Sequence, residues 1–146
     1  MKMALLALLI ALVLLPIQVL PAAQKTVVTA AQVNGTWSSK RGTIRVWALG
    51  KQRLRVEFYG LYEYNIPGGS IANLGEARGI AEIEGDTAIL KPDERENRCT
   101  IKLQFVGPRL IVSQDGECGF GKHVTSAGEY RKTSSRKPRF GTEPRS

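Results

Sequence analysis

The sequence predicts an all-β fold, a small antiparallel up-and-down barrel of about eight strands with one disulfide. Apolar and polar side chains alternate at every second residue in several segments, which is typical of strands with one buried face. Turn residues such as Gly, Pro and Asp separate these segments at short intervals. The chain has 146 residues, of which 42% are hydrophobic and 23% charged, as expected for one folded domain rather than a disordered chain.

Residues 1–23 have the order of a secretory signal sequence. Lys2 is followed by an unbroken apolar run, and small residues offer cleavage points after Ala22, Ala23 or Ala31. The run is shorter than the ~20 residues that a membrane-spanning helix needs, so a retained anchor is the less favoured alternative. We therefore expect a periplasmic or secreted mature chain without a transmembrane segment.

Residues 24–130 form the predicted barrel domain, and the alternation defines its strands. In segment 52–59, Leu54, Val56 and Phe58 share one face, while charged residues occupy the other. The predicted strands are 35–39, 43–49, 52–59, 76–84, 86–91, 98–106, 109–114 and 128–132.

The two cysteines, Cys99 and Cys118, are predicted to form a disulfide because an exported protein folds in an oxidising compartment. Closing a loop of about 20 residues stabilises the fold by roughly 3 kcal/mol in the chain-entropy description. A zinc site would need four ligands, and the chain has only one histidine besides these cysteines. We expect no metal and no other cofactor.

The sequence offers little for catalysis. His123 is the only histidine, and a catalytic triad would have to combine it with Ser113 or Ser126, yet no nucleophile elbow is present. Residues 116–122 have the glycine and lysine spacing of a phosphate loop, but His123 stands where magnesium binding needs Ser or Thr. Two carboxylate pairs are expected on solvated faces, Glu82 with Glu84 and Glu94 with Glu96. We therefore expect a protein that is not an enzyme.

An aromatic run at the end of the third predicted strand is the candidate binding surface. Phe58 is expected to point inward and Tyr59 outward, and the Gly-rich residues 62–74 are predicted to form a loop beside the barrel mouth. Tyrosine gives a large contact area at a small entropic cost. The candidate binding residues are Tyr59, Tyr62, Tyr64, Phe120 and Lys122. Alternatively, these side chains only cover the end of the barrel.

Residues 131–146 differ from the barrel in composition. They contain six basic residues and one acidic residue, and their apolar content is too small to hold them against a core, so we predict a disordered tail. The basic residues considered are Arg131, Lys132, Arg136, Lys137 and Arg139. The tail is expected either to bind anionic envelope polymers, such as lipopolysaccharide or acidic glycans, or only to keep the protein soluble. No specific nucleic acid partner is expected.

The segment Asn34-Gly35-Thr36-Trp37 resembles the Gly-x-Trp that opens the first strand of lipocalins and the Gly-Thr-Trp of avidins. Both are eight-stranded barrels around a small ligand, so the resemblance implies a carrier of a small apolar ligand. The avidin pocket is rich in tryptophan, whereas this chain has only Trp37 and Trp47, so biotin binding is not expected. The residues themselves predict that Trp37 and Tyr130 plug the barrel and that side chains fill it.

A longer resemblance covers the C-terminal half. Cys118-Gly119-Phe120-Gly121, followed by Gly128-Glu129-Tyr130, is similar to a group of small exported bacterial proteins of largely unknown function. The predicted architecture is also similar to that of periplasmic lysozyme inhibitors. These resemblances imply an exported non-catalytic binding protein of the bacterial envelope, with inhibition of a lysozyme-like enzyme as one form of that function. Animal lysozymes are basic, so such an inhibitor would need an acidic patch. The residues available for it are Glu57, Glu63, Glu82 and Glu84.

Overall fold

The computed structural model describes residues 27–92 and 98–141. Eight antiparallel strands form a closed barrel in which each strand pairs with the next and the last returns to the first. In chain order the elements are α1 (Ala30–Val33), β1 (Gly35–Ser39), β2 (Gly42–Gly50), β3 (Arg53–Ile66), β4 (Gly69–Glu84), β5 (Thr87–Leu90), β6 (Cys99–Val106), β7 (Arg109–Gly116) and β8 (Gly128–Ser134). The predicted barrel of eight strands is confirmed, whereas the predicted signal sequence lies outside the described residues.

Side chains occupy the interior of the barrel. Alternate residues of each strand point inward, as in β6, where Cys99, Ile101, Leu103 and Phe105 are buried. The largest fully buried side chains come from several strands: Trp37, Tyr130, Phe58, Ile44, Leu54, Leu90, Ile101, Leu103 and Leu110. Together these residues form one continuous apolar core.

The short helix α1 covers one end of the barrel, which we call the helix end. Thr29 caps the helix, and the indole nitrogen of Trp37 donates a hydrogen bond of 3.0 Å to the carbonyl of Val33. The amide of Val28 bonds to the carbonyl of Gly85, in the turn between β4 and β5. These contacts attach the segment before β1 to the barrel and bury Val33.

Cys99 and Cys118 form the predicted disulfide. The bond joins the first residue of β6 to the connection between β7 and β8, residues 117–127, which we call the crossing loop. A disulfide of this kind is typical of proteins that fold in an oxidising compartment. None of the helices in the described part of the chain is long and apolar enough to cross a membrane.

The prediction of a loop at residues 62–74 is wrong, because these residues extend β3 and β4 into one long hairpin. Pairing between β3 and β4 continues to Ile66 opposite Gly69, whereas β2 begins only opposite Gly60. A two-residue turn at Pro67 and Gly68 closes the hairpin, and the φ of +96° at Gly68 requires a glycine. Residues 61–74 therefore protrude from the barrel as a two-stranded ribbon, which we call the ribbon, at the end opposite α1.

The domain boundary predicted at residue 130 also needs correction. Strand β8 continues to Ser134, with Lys132 opposite Trp37 in β1. A strand can include this lysine because its stem packs near the indole, with the ammonium 4.8 Å from the ring centroid. Its amine donates hydrogen bonds of 3.0 and 2.6 Å to the carbonyls of Ala31 and Gln32. The barrel domain thus includes residues 131–134, which the composition predicts to be part of the tail.

Residues 135–141 lie against the outer face of the barrel. The Lys137 ammonium is 5.5 Å from the centroid of the Trp47 ring, and the Arg55 guanidinium is 4.6 Å from that of Phe140. The amide of Gly141 donates to Glu57 Oε1 at 3.0 Å. The prediction of disorder is therefore corrected for this part of the tail, while residues 142–146 lie outside the described chain.

Candidate functional site

The β3–β4 hairpin carries most of the exposed apolar surface of the described chain. Eight of the eleven large hydrophobic residues that are exposed there belong to this hairpin. On the ribbon they occupy both faces: Tyr62, Tyr64, Ile66 and Ile71 continue the inward face of the barrel strands, and Leu61 and Leu74 lie on the opposite face. Contiguous exposed apolar surface of this kind is typical of interaction sites.

The crossing loop packs on the base of the ribbon, where the cross-strand pair Gly60 and Gly75 leaves room for it. A Cβ atom on Gly75 would lie only 2.7 Å from Val124 Cγ1 and 2.8 Å from Phe120 Cγ. The backbone also connects the two segments, because the amide of Gly121 donates to the carbonyl of Leu74 at 2.8 Å. Two opposed glycines thus position the loop against the hairpin.

A cleft of about 300 Å³ lies where the ribbon meets the crossing loop. Its lining residues are Tyr62, Tyr64, Asn73, Lys122 and His123. The rings of Tyr62 and Tyr64 are 6.3 Å apart between centroids, and the imidazole of His123 is 5.0 Å from Tyr62. The side-chain amide of Asn73 donates a hydrogen bond of 2.8 Å to the carbonyl of Lys122. The Tyr62 ring therefore has two neighbouring rings, and an amide and an ammonium group line the same cleft.

His123 has a backbone φ of +67°, in the left-handed region that residues other than glycine seldom adopt. The loop around it is held by the Asn73 bond and, through Cys118, by the disulfide. Backbone strain of this kind is found preferentially at functional sites. The conformation places the imidazole against Tyr62 at the edge of the cleft.

The structure brings three of the five candidate binding residues into this cleft, namely Tyr62, Tyr64 and Lys122. Phe120 lies beneath it, half-buried, with its ring 5.2 Å from that of Phe58. Tyr59 is exposed on the opposite face of β3. Asn73, which lies directly across from Tyr62, is not among the predicted binding residues, and His123 is a candidate for catalysis alone.

The serines considered for catalysis have other surroundings. Ser126 is fully buried, and its hydroxyl bonds to Gln114 Oε1 at 3.0 Å, while Ser113 is exposed on β7. Residues 116–122 lead from β7 into the crossing loop, not into a helix. Within residues 27–92 and 98–141, no three His, Cys, Asp or Glu side chains come together as metal ligands would. Glu94 and Glu96 lie outside these ranges.

The four glutamates considered for an acidic patch are dispersed. Glu63 lies on the ribbon, whereas Glu82 and Glu84 line a second cleft of about 680 Å³ near the helix end. Glu57 accepts a hydrogen bond of 3.0 Å from Arg45 as well as the one from Gly141. These carboxylates therefore do not provide one negative surface.

Two groups outside the cleft, Asp86 and Tyr130, have shifted pKa values with structural causes. Hydrogen bonds from Thr87 and Gln104 lower the pKa of Asp86, in the turn between β4 and β5. Burial raises the pKa of Tyr130, whose hydroxyl donates to the carbonyl of Ser126 at 2.8 Å. Both groups stabilise the barrel rather than form part of the cleft.

Comparisons with known proteins give no assignment. No protein-family model, no curated protein and no solved structure matches the chain. A function is therefore inferred from the residues and geometry of this chain alone.

Proposed function

We propose that this chain is an exported, non-catalytic binding protein of the bacterial envelope, and that the ribbon is its recognition element. The observation that carries the proposal is the protrusion of residues 61–74, with apolar side chains exposed on both faces. Burying such side chains against a partner is favourable by about 25 cal/mol per Å² of apolar surface. A narrow ribbon that is apolar on both sides is suited to insertion into a groove.

Two further features support a binding role. An isolated two-stranded hairpin is only marginally stable in water, yet this one is attached to the closed barrel and supported by the crossing loop. The rigid barrel thus presents the ribbon in one orientation, which lowers the entropic cost of binding. A catalytic role has less support, because the candidate nucleophile Ser126 is hydrogen-bonded to Gln114, whereas the candidate base His123 packs on Tyr62.

The alternative, a lipocalin-like carrier of a small apolar ligand, has less support. Such a carrier needs a hollow interior, and here Trp37, Phe58, Phe105 and Tyr130 occupy the barrel. The rings of Trp37 and Phe105 pack in an edge-type arrangement at a centroid distance of 5.7 Å, which adds to the packing.

Export is proposed from the signal-like residues 1–23 together with the disulfide. The periplasm or the extracellular medium of a bacterium is the proposed location. Mass spectrometry of the protein expressed with residues 1–23 in a bacterium would identify the cleavage site. Recovery of the full-length chain from the cytoplasm would contradict this part of the proposal.

A lysozyme-like enzyme is one proposed partner, and the distribution of charge restricts which kind. The cleft on the ribbon carries Lys122, and the four candidate glutamates are dispersed. Like charges weaken association, so a basic animal lysozyme is a poorer fit than an acidic enzyme of this type. An assay of peptidoglycan hydrolysis with lysozymes of both charges tests this, and inhibition of only the basic enzyme would contradict it.

We also propose that the basic tail contacts anionic envelope polymers. Arg136, Lys137 and Arg139 are exposed even though the segment lies along the barrel. Arg131 and Lys132 contribute less, because Arg131 pairs with Glu129 at 3.3 Å and Lys132 bonds to α1. The attraction would be loose and dependent on salt.

The role of the ribbon can be tested with substitutions at its tip. Ile66→Thr and Ile71→Thr together remove apolar surface but keep a β-branched shape that suits a strand. Leu49→Thr is the matched control, because Leu49 is 45% exposed on β2, away from the ribbon. We expect all three proteins to unfold at similar temperatures and only the ribbon variant to lose cosedimentation with isolated bacterial envelopes. Equal retention of the ribbon variant and the wild type would contradict the proposal.

A further inference from the structure

We infer that the cleft between the ribbon and the crossing loop binds a pyranose sugar that carries a carboxylate, as a unit of an acidic glycan. This inference rests on the proposed binding function of the ribbon and names a ligand for it. It concerns Tyr62, Tyr64, Asn73, Lys122 and His123, which line the cleft.

The tyrosine rings provide the surface for the sugar. The Tyr62 and Tyr64 rings lie on one face of β3, with their centroids 6.3 Å apart and their planes tilted by 35°. Both side chains are about two-fifths exposed, which leaves their surfaces accessible. A pyranose presents apolar C–H groups on its faces and hydroxyl groups around its edge. Tyrosine matches this chemistry, since it combines an apolar ring with a polar tip.

The polar residues define the edge of the same site. Asn73 lies directly across the hairpin from Tyr62, and its amide is oriented by the bond to the Lys122 carbonyl. The imidazole of His123 adds a second polar ring 5.0 Å from Tyr62. These groups can exchange hydrogen bonds with sugar hydroxyls, which act as both donors and acceptors. The volume of about 300 Å³ is at the lower limit of small-molecule sites and suits one sugar ring of a chain.

The charge of the cleft selects an acid. Lys122 is exposed and lines the cleft, and no Asp or Glu is among the described residues that line it. A phosphate is usually bound by several donors, such as an arginine fork or a helix N-terminus, and the cleft offers neither. A single ammonium group beside an aromatic platform is instead suited to one carboxylate on a sugar ring.

NMR titration of the ¹⁵N-labelled protein at low salt tests the inference with two matched pairs of sugars. Glucuronic acid is compared with glucose, and N-acetylmuramic acid with N-acetylglucosamine, so that each pair differs in a carboxylate-bearing group. We expect saturable shifts at Tyr64, Asn73 and Lys122, and about fivefold tighter binding of the acid in at least one pair, as for an exposed charge pair worth about 1 kcal/mol. The pair that shows this preference distinguishes a uronic acid polymer from peptidoglycan as the source.

Variants separate the cleft from the rest of the positive charge. Lys122→Gln should remove the preference for the acid, Lys122→Arg should retain it, and Tyr64→Leu should weaken binding of both members of a pair. Lys102→Gln, on the exposed face of β6, is the matched control and should leave the affinities for all four sugars unchanged. Absence of shifts in the cleft, equal affinities within both pairs, or a preference that persists in Lys122→Gln would overturn the inference. In that case, loss of envelope binding in the variant with Ile66→Thr and Ile71→Thr would still support the ribbon as the recognition element, so the two proposals can fail separately.

Discussion

At the scale of single residues, Trp37 and Lys132 connect three elements of the barrel. The indole bonds to the Val33 carbonyl in α1, and the amine of Lys132 in β8 reaches two further carbonyls of the same helix. A cation near the last carbonyls of a helix is favourable, and here it also lies over the indole ring. The lysine therefore stabilises the attachment of α1 rather than a flexible tail.

Replacing Lys132 with methionine tests this role. Lys132→Met keeps the length and the apolar stem but removes the donor, so we expect a loss of about 1 kcal/mol in the free energy of unfolding, discounted for partial exposure. Lys137→Met is the control, because Lys137 lies on the outside of the barrel near Trp47. Urea denaturation measures the free energy of unfolding of both variants. Equal losses of stability would show that the hydrogen bonds from Lys132 to α1 do not stabilise the fold.

The carboxylate of Asp86 makes part of the stability depend on pH. Its pKa is lowered by hydrogen bonds from Thr87 at 2.8 Å and Gln104 at 3.3 Å. A lowered folded-state pKa stabilises the fold above the unfolded value of about 4, and this contribution disappears as the pH falls through the folded-state value. Asp86→Asn should therefore be less stable than the wild type by less than about 1 kcal/mol at neutral pH, and the difference should vanish in acid. A constant difference in urea unfolding between neutral pH and strong acid would contradict this assignment.

At the scale of elements, the hairpin and the crossing loop depend on each other. Gly60 and Gly75 leave a space that Phe120 and Val124 fill, and the disulfide fixes the start of the loop through Cys118. The cleft exists only while the loop stays in this position. Substitutions at the glycines should therefore alter the cleft without touching its lining residues.

Gly75→Ala tests this dependence. The new Cβ would lie within 2.8 Å of side-chain atoms of Val124 and Phe120, so we expect a loss of about 1–3 kcal/mol and displacement of the crossing loop. Gly69→Ala is the matched control in the same strand, since nothing lies within 4 Å of its Cβ position. Thermal unfolding reports stability, and NMR shifts of Lys122 and His123 report the loop. Tolerance of Gly75→Ala without shifts in the loop would contradict the described packing.

The elements also show which parts of the fold the sequence can predict. Alternation identifies a strand only when one face is buried, as in β6, where the inward set was predicted correctly. On the ribbon both faces are exposed, so the apolar residues do not alternate, and the pattern of residues 62–74 predicts a loop instead of two strands. One cleft residue likewise requires the register, because Asn73 faces Tyr62 only once the turn at Pro67 is known. Tyr62, Tyr64 and Lys122 were predicted from residue type alone.

At the scale of the whole molecule, charge and apolar surface are found in different places. The ribbon extends from one end of the barrel, whereas the described part of the tail crosses the outer face of β2 and β3. Arg136, Lys137 and Arg139 are exposed there, and the charge of Arg131 is partly compensated by Glu129. The exposed apolar side chains and the exposed basic side chains thus form two separate surfaces, for which we propose separate binding roles.

Removing the tail charges without removing the tail tests the second surface. In Arg136→Gln, Lys137→Gln and Arg139→Gln together, the Phe140 contact with Arg55 and the Gly141 bond to Glu57 remain possible. A chain ending at Ser134 keeps all of β8 but loses those contacts. Both proteins should elute from a heparin column at lower salt than the wild type, because exposed charges interact over about 8 Å at physiological ionic strength. The shortened chain should also be less stable than the triple variant, by up to about 1 kcal/mol, because it alone loses the exposed contact between Arg55 and the Phe140 ring. Unchanged elution of the triple variant would show that the tail charges do not bind polyanions, whatever the shortened chain does.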